Sequence, residues 1–216
     1  MQQELIKKIE EEKLIVILRG IKKEHLLDLT NAMYAGGVRL LEITYSANGS
    51  VSDEETAENI KLLHDTFLGK MSIGAGTVLT EKQVRLTKEA GGEFIISPDC
   101  NKDVIQLTKS LGMISMPGCL TPSEMQQAHL YGADFVKLFP ASAFNTSYIK
   151  AVKAPLSHIK MLAVGGVDLN NIAEYKKAGI CGFGIGSNIT DKKLIENGEY
   201  GKITELAKEY VRLIQS

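Results

Sequence analysis

Ala133-Asp134-Phe135-Val136-Lys137-Leu138-Phe139-Pro140 is an apolar run closed by a proline, and it follows a helical pattern, Pro122–Tyr131, and a glycine, Gly132. That succession of helix, glycine and buried strand decides the fold, because it recurs along the chain. Apolar strand candidates are Leu14–Leu18, Arg39–Thr44, Met71–Ala75, Glu93–Ser97, Gly112–Met116, Asp134–Leu138, Lys160–Val164 and Gly182–Ile185. Helical patterns lie between them at His25–Tyr34, Glu54–Phe67, Glu81–Ala90, Lys102–Leu111, Pro122–Tyr131, Thr146–Val152 and Asn170–Ala178, with a last helix from about Tyr200 to Ile214. An additional amphipathic helix, Gln2–Glu12, precedes the first strand, with Leu5, Ile6 and Ile9 on one face.

Continuous apolar strands suit a parallel sheet covered by helices on its faces. Eight strand–helix units within 216 residues favour a closed (β/α)8 barrel over a doubly wound sheet. The expectation is an α/β fold, a TIM barrel of one domain spanning residues 1–216 with an extra N-terminal helix. Glycines such as Gly91, Gly112 and Gly132 follow the helices, where the turn back to the sheet calls for left-handed backbone.

Composition narrows the partners. The chain is 44% hydrophobic and 24% charged with a net charge of −1, so no long-range field favours nucleic acid or an anionic membrane. No run approaches the roughly 20 apolar residues of a membrane span. Residues Met1 to Lys13 lack the apolar core of a signal peptide. Cys100, Cys119 and Cys181 form no CxxC and are odd in number, which points to a reducing cytoplasm. The four histidines are scattered with no carboxylate cluster beside them, so no metal is expected, and no cofactor is called for.

In such a barrel, ligands bind at the carboxyl ends of the strands. Three charges interrupt the apolar pattern there: Arg19, Glu42 and Lys137. A lone strand lysine ordinarily snorkels to water, and three such charges could equally form an outward-facing ion network. If they meet inside the barrel mouth, each has a task. Desolvation turns a lysine into a nucleophilic amine able to attack a ketone. A carboxylate beside it shuttles protons, and a guanidinium fork holds a substrate carboxylate. Two glycine turns, Gly165-Gly166 and Gly184-Ile185-Gly186-Ser187, end the last two strands, where barrels often bind phosphate. Together these features imply a phosphorylated keto acid.

These residues resemble the 2-keto-3-deoxy-6-phosphogluconate aldolase family, which includes the 4-hydroxy-2-oxoglutarate aldolases. The likeness runs nearly end to end. It rests on Ile15-Val16-Ile17-Leu18-Arg19, Leu41-Glu42-Ile43-Thr44, Gly74-Ala75-Gly76-Thr77, Ile96-Ser97-Pro98, Met116-Pro117-Gly118, Lys137-Leu138-Phe139-Pro140, Gly165-Gly166-Val167 and Gly186-Ser187. The resemblance implies a metal-independent class I aldolase, a lyase, assembled as a homotrimer. By the same resemblance Lys137 is the Schiff-base lysine and Glu42 the general acid and base. Arg19, Thr77 and Pro98 hold the pyruvyl carboxylate, Phe139 and Val164 line the pocket, and Gly165, Gly166, Gly186 and Ser187 bind the phosphate. The implied reaction cleaves 2-dehydro-3-deoxy-6-phosphogluconate to pyruvate and glyceraldehyde 3-phosphate, the Entner–Doudoroff aldol step. The smaller 4-hydroxy-2-oxoglutarate would give pyruvate and glyoxylate.

Two departures qualify the substrate. Some members carry the carboxylate-binding arginine after the second strand, where this chain reads Thr44-Tyr45-Ser46-Ala47-Asn48, so Arg19 must serve. Many gluconate-type members have Pro-Thr before the Gly-Gly turn, whereas this chain has Ala163-Val164. A valine donates no hydrogen bond to a C4 hydroxyl. That difference resembles the branch acting on 2-dehydro-3-deoxy-6-phosphogalactonate, the alternative substrate. Two other readings differ in chemistry: a phosphate-binding barrel isomerase or synthase with Glu42 as base, and a non-catalytic sugar-phosphate sensor.

Overall fold

The computed structural model describes residues 2–216. Its strands are β1 (Leu14–Leu18), β2 (Leu40–Thr44), β3 (Ser72–Gly76), β4 (Phe94–Ile96), β5 (Ile114–Met116), β6 (Gly118–Cys119), β7 (Val136–Leu138), β8 (Met161–Val164) and β9 (Gly182–Ile185). All pairings are parallel, in the order β5-β4-β3-β2-β1-β9-β8-β7-β6. The two ends of that order, β5 and β6, are separated in the chain by Pro117 alone. They are one barrel strand interrupted at a residue that has no N–H to donate. Backbone bonds close the ring across this point. Lys137 N–H donates to Pro117 O at 2.8 Å and Phe139 N–H to Cys119 O at 3.1 Å. The sequence expectation ended this strand at Met116; it resumes at Gly118, which makes the eighth wall of a (β/α)8 barrel.

Helices follow the strands: α1 (Gln2–Glu12), α2 (Lys23–Ala35), α3 (Asp53–Thr66), α4 (Glu81–Glu89), α5 (Lys102–Ser110), α6 (Pro122–Leu130), α7 (Thr146–Lys153), α8 (Ile172–Lys177), α9 (Lys192–Glu196) and α10 (Tyr200–Gln215). Oxygen side chains cap several of them. Thr121 and Glu124 form a reciprocal capping box on α6, and Ser52 accepts the Glu55 N–H at the start of α3. The short helix α9, with Asp191 as its cap, lies where the sequence reading had no element. Five residues give too little periodicity to register.

Apolar side chains separate into two clusters, and this separation positions the site. The larger lies between strands and helices and holds Val16, Leu41, Ile43, Val136 and Leu138. The smaller fills the barrel interior with Ile15, Leu40, Phe94, Phe135 and Leu162, and Leu5 and Ile9 of α1 join it at the N-terminal end. Successive strand side chains alternate between faces. Phe135 points inward, so Lys137, two residues on, points inward. Leu40 points inward, and so does Glu42. Ile15 and Ile17 bring Arg19 to the inner rim by the same count. Register sets the heights: Glu42 stands level with Ile17 and Gly74, and Lys137 with Gly118 and Leu162.

Candidate active site

The barrel mouth opens into a cleft of about 570 Å³. Its lining includes Arg19, Thr77, Pro98, Lys137, Phe139, Val164, Gly165, Gly166, Gly186 and Ser187. Glu42 does not reach the lining. It lies beneath, 1% exposed, and its Oε2 is buried without a hydrogen-bond partner. Lys137 is 5% exposed, with Nζ 4.6 Å from the centroid of the Phe139 ring. Arg19, by contrast, sits on the exposed rim, so only two of the three charges are dry.

Electrostatics follow from this burial. Loss of water pushes the Lys137 amine below the ordinary lysine range; Glu42 opposes that and Arg19 adds to it. Loss of water likewise pushes the Glu42 carboxyl up, against the pull of Lys137 and Arg19. Both shifts favour uncharged partners, an amine with a free lone pair and a carboxyl with a proton to give. A buried carboxyl with an unpartnered oxygen, electrostatically coupled to a buried amine, is poised to deliver or take a proton once a third group arrives.

Two backbone features hold this pair. A Cβ built on Gly76 would fall 1.5 Å from Glu42 Oε1, so only glycine leaves room for the carboxyl. We expect Gly76→Ala to fold and to displace Glu42; with the acid–base role that the family resemblance implies for Glu42, turnover should fall by about a hundredfold or more, measured by steady-state kinetics. The second is Thr77, a non-glycine residue at φ +55° whose Oγ1 accepts a hydrogen bond from Arg19 Nη2 at 3.1 Å. Left-handed backbone at such a residue is costly and is characteristic of functional sites.

At the opposite end of the cleft, Gly165 and Gly166 have φ of +88° and +77°. A Cβ on Gly166 would meet Ser142 Cβ at 2.4 Å. Among the described residues, the N–H groups of Gly166 and Ser187 have no acceptor in the turns. Unused donors in a glycine turn suit an anion. Asn188, Thr190 and Lys192 also line this end and were not anticipated. The polar run after Ser187 was their signal in the sequence, but without α9 nothing folded it back over the cleft. Among the described residues no three His, Cys, Asp or Glu side chains group as a metal site, and no helix is long and apolar enough to cross a membrane.

The profile of the KDPG and KHG aldolases matches residues 5–206. The chain belongs to this family. A probable 2-dehydro-3-deoxy-6-phosphogalactonate aldolase of Rhizobium meliloti is 39% identical over 83% of this chain and 82% of its own length. A 2-dehydro-3-deoxy-phosphogluconate aldolase of Haemophilus influenzae is 31% identical over 99% and 98%. The KDPG aldolase of Legionella pneumophila, solved with pyruvate captured as a covalent carbinolamine, superposes with a TM-score of 0.84 at 28% identity, covering 96% of this chain and 97% of that one. A member of this family is a lyase of the Schiff-base type, and the fold, the family and the dry amine agree on that chemistry.

Proposed function

We propose that this chain cleaves the C3–C4 bond of a 6-phosphorylated 2-keto-3-deoxy sugar acid, releasing pyruvate and glyceraldehyde 3-phosphate. The observation that carries the reading is the buried pair, Lys137 in the cleft lining and Glu42 beneath it, each electrostatically coupled to the other, with the Gly165-Gly166 and Gly186-Ser187 turns lining the same cleft as Lys137. Arg19 and Thr77 hold the C1 carboxylate beside Pro98. The Lys137 amine attacks C2, and Glu42 delivers the proton that lets the C2 oxygen leave as water. The resulting protonated imine draws the electrons of the C3–C4 bond as the C4 hydroxyl gives its proton to the Glu42 carboxylate left by the dehydration step, and the aldehyde departs. The enamine is then protonated at C3 and hydrolysed, which returns Lys137 and frees pyruvate. Phe139 and Val164 keep water from the imine. One barrel unit, residues 1–216, carries all of these groups, and we place it in the cytoplasm as a homotrimer, following the family resemblance.

Reductive trapping tests the proposal. Borohydride with pyruvate should add about 72 Da at Lys137, the mass expected of a reduced pyruvyl imine. An unmodified lysine with intact protein would rule out the imine.

The C4 epimer is a finer question. Higher identity to the galactonate-type relative, and Val164 where a hydroxyl-bearing residue would read C4, favour the galactonate epimer. Near full-length likeness to the gluconate-type relative supports the gluconate epimer as the second reading, and 4-hydroxy-2-oxoglutarate as a smaller substrate. Val164→Thr should move the ratio of kcat/KM for the two epimers toward gluconate by about tenfold, the worth of one hydroxyl contact. An unchanged ratio would remove Val164 from epimer selection. Ser187→Ala should raise KM about fivefold for the phosphorylated acids and leave 4-hydroxy-2-oxoglutarate unaffected, as expected for one lost hydrogen bond to an anion. Equal effects on both would detach Ser187 from the phosphate.

A further inference from the structure

A second cleft, of about 380 Å³, lies on the other side of Arg19, between the loop after β1 and the loop after β2. Its floor is apolar, with Leu18, Leu26 and Ile43. Arg19 is the one charged residue among its lining, so the charge presented to the cleft by its own walls is positive. Within the described protein Arg19 makes no salt bridge, and its one side-chain hydrogen bond runs to Thr77 in the catalytic cleft. One guanidinium carries five N–H donors in a fixed fork, so donors remain for a group on this second side.

The other observation is Asn59 of α3. It lines the same cleft, is 6% exposed, and its Oδ1 is buried with no hydrogen-bond partner. Buried amide oxygens are ordinarily satisfied, and one that is not marks a place for a donor from outside the chain. An anion-seeking cation at one side, an unpaired acceptor at the other and an apolar floor between them describe one ligand chemistry.

We propose that this cleft is a separate binding site for a short hydroxy acid, its carboxylate on Arg19 and its hydroxyl donating to Asn59 Oδ1. Such a ligand shares Arg19 with the substrate carboxylate, so it raises KM for the keto acid and leaves kcat unchanged. The site does not depend on the aldolase reading, since neither Lys137 nor the phosphate turn contributes to it.

Isothermal titration with sodium D-glycerate tests the site on the wild-type chain, Asn59→Leu, Ala47→Trp and Lys137→Met. Asn59→Leu removes the acceptor at similar volume, and Ala47→Trp fills the cleft from its exposed rim. Lys137→Met alters only the catalytic cleft. The expected result is binding by the wild type and Lys137→Met, weakened about tenfold or more in Asn59→Leu and Ala47→Trp, the scale of a lost hydrogen bond plus lost space. Loss in Lys137→Met with retention in the other two would put glycerate in the catalytic cleft and overturn the proposal. So would the absence of any binding by the wild type up to about 20 mM, the range of the weakest specific sites. If Asn59→Leu fails to fold, Ala47→Trp decides alone: undiminished affinity in that variant overturns the site.

Discussion

Lys137→Ala is expected to abolish pyruvate formation, lowering kcat by about four orders of magnitude or more, while the barrel stays folded. Removing a covalent nucleophile leaves only substrate positioning, and single losses from such a unit cost about as much as losing the whole unit. Stability should move the other way from activity. Lys137 is 5% exposed and burial pushes its amine below the ordinary lysine range, so the folded state bears a desolvation cost that alanine does not. The lost packing of its methylenes offsets part of that gain. We therefore expect a melting temperature within about 3 °C of the wild type at neutral pH, equivalent to roughly 1 kcal/mol for a domain of this size. Lys137→Met, which keeps the volume, should melt higher than Lys137→Ala. Near-normal turnover by either variant would assign the chemistry to another residue.

The barrel was legible in the chain because its units are locally redundant. Each buried strand is an apolar run, and many of the helices announce their end by a glycine. Gly91, Gly112 and Gly132 all adopt positive φ in the turns that the sequence assigned to them. Pro117 was harder to place. A proline reads as the end of a strand, yet here the strand resumes at once in Gly118–Cys119, whose neighbour on the other side is β7 rather than β4. The convergence of Arg19, Glu42 and Lys137 was readable only as a coincidence of charge on three strands. Which face each occupied depended on the division between an inner and an outer core, a property of the closed sheet and not of any one segment. Asn59 carried no signal at all. An asparagine within a helix normally faces solvent, and its burial follows from the way α3 packs under the loop after β2.

Glu42→Gln is expected to lower kcat by about a hundred- to ten-thousandfold, the range of a lost general acid–base group, with the imine still forming slowly. Glutamine preserves the shape beside Gly76 but has no proton to exchange. The pH profile separates this role from a structural one. The Lys137 pKa is pushed down by burial and held back up by Glu42. In the proposed mechanism the amine attacks unprotonated, so kcat/KM in the wild type is expected to rise with pH through a limb displaced below the ordinary lysine value. Removing Glu42 removes the group that favours the ammonium, and the rising limb of the variant must shift to more acid pH. Arg19→Met removes a like charge from Lys137 and must shift the limb to more alkaline pH. Stability obeys linkage with the same signs. The Glu42 carboxyl has a folded-state pKa raised above its unfolded value. Between those two pH values the folded chain binds the extra proton, so wild-type stability falls as pH rises through that window. The Lys137 amine has a folded-state pKa below its unfolded value. There the unfolded chain binds the extra proton, and stability climbs again as pH rises toward the ordinary lysine range. Glu42→Gln should erase the fall and keep the climb, and Lys137→Met should do the reverse. Denaturant melts across pH read both, and a slow Glu42→Gln enzyme whose limb stays in place would leave the carboxyl a packing role only.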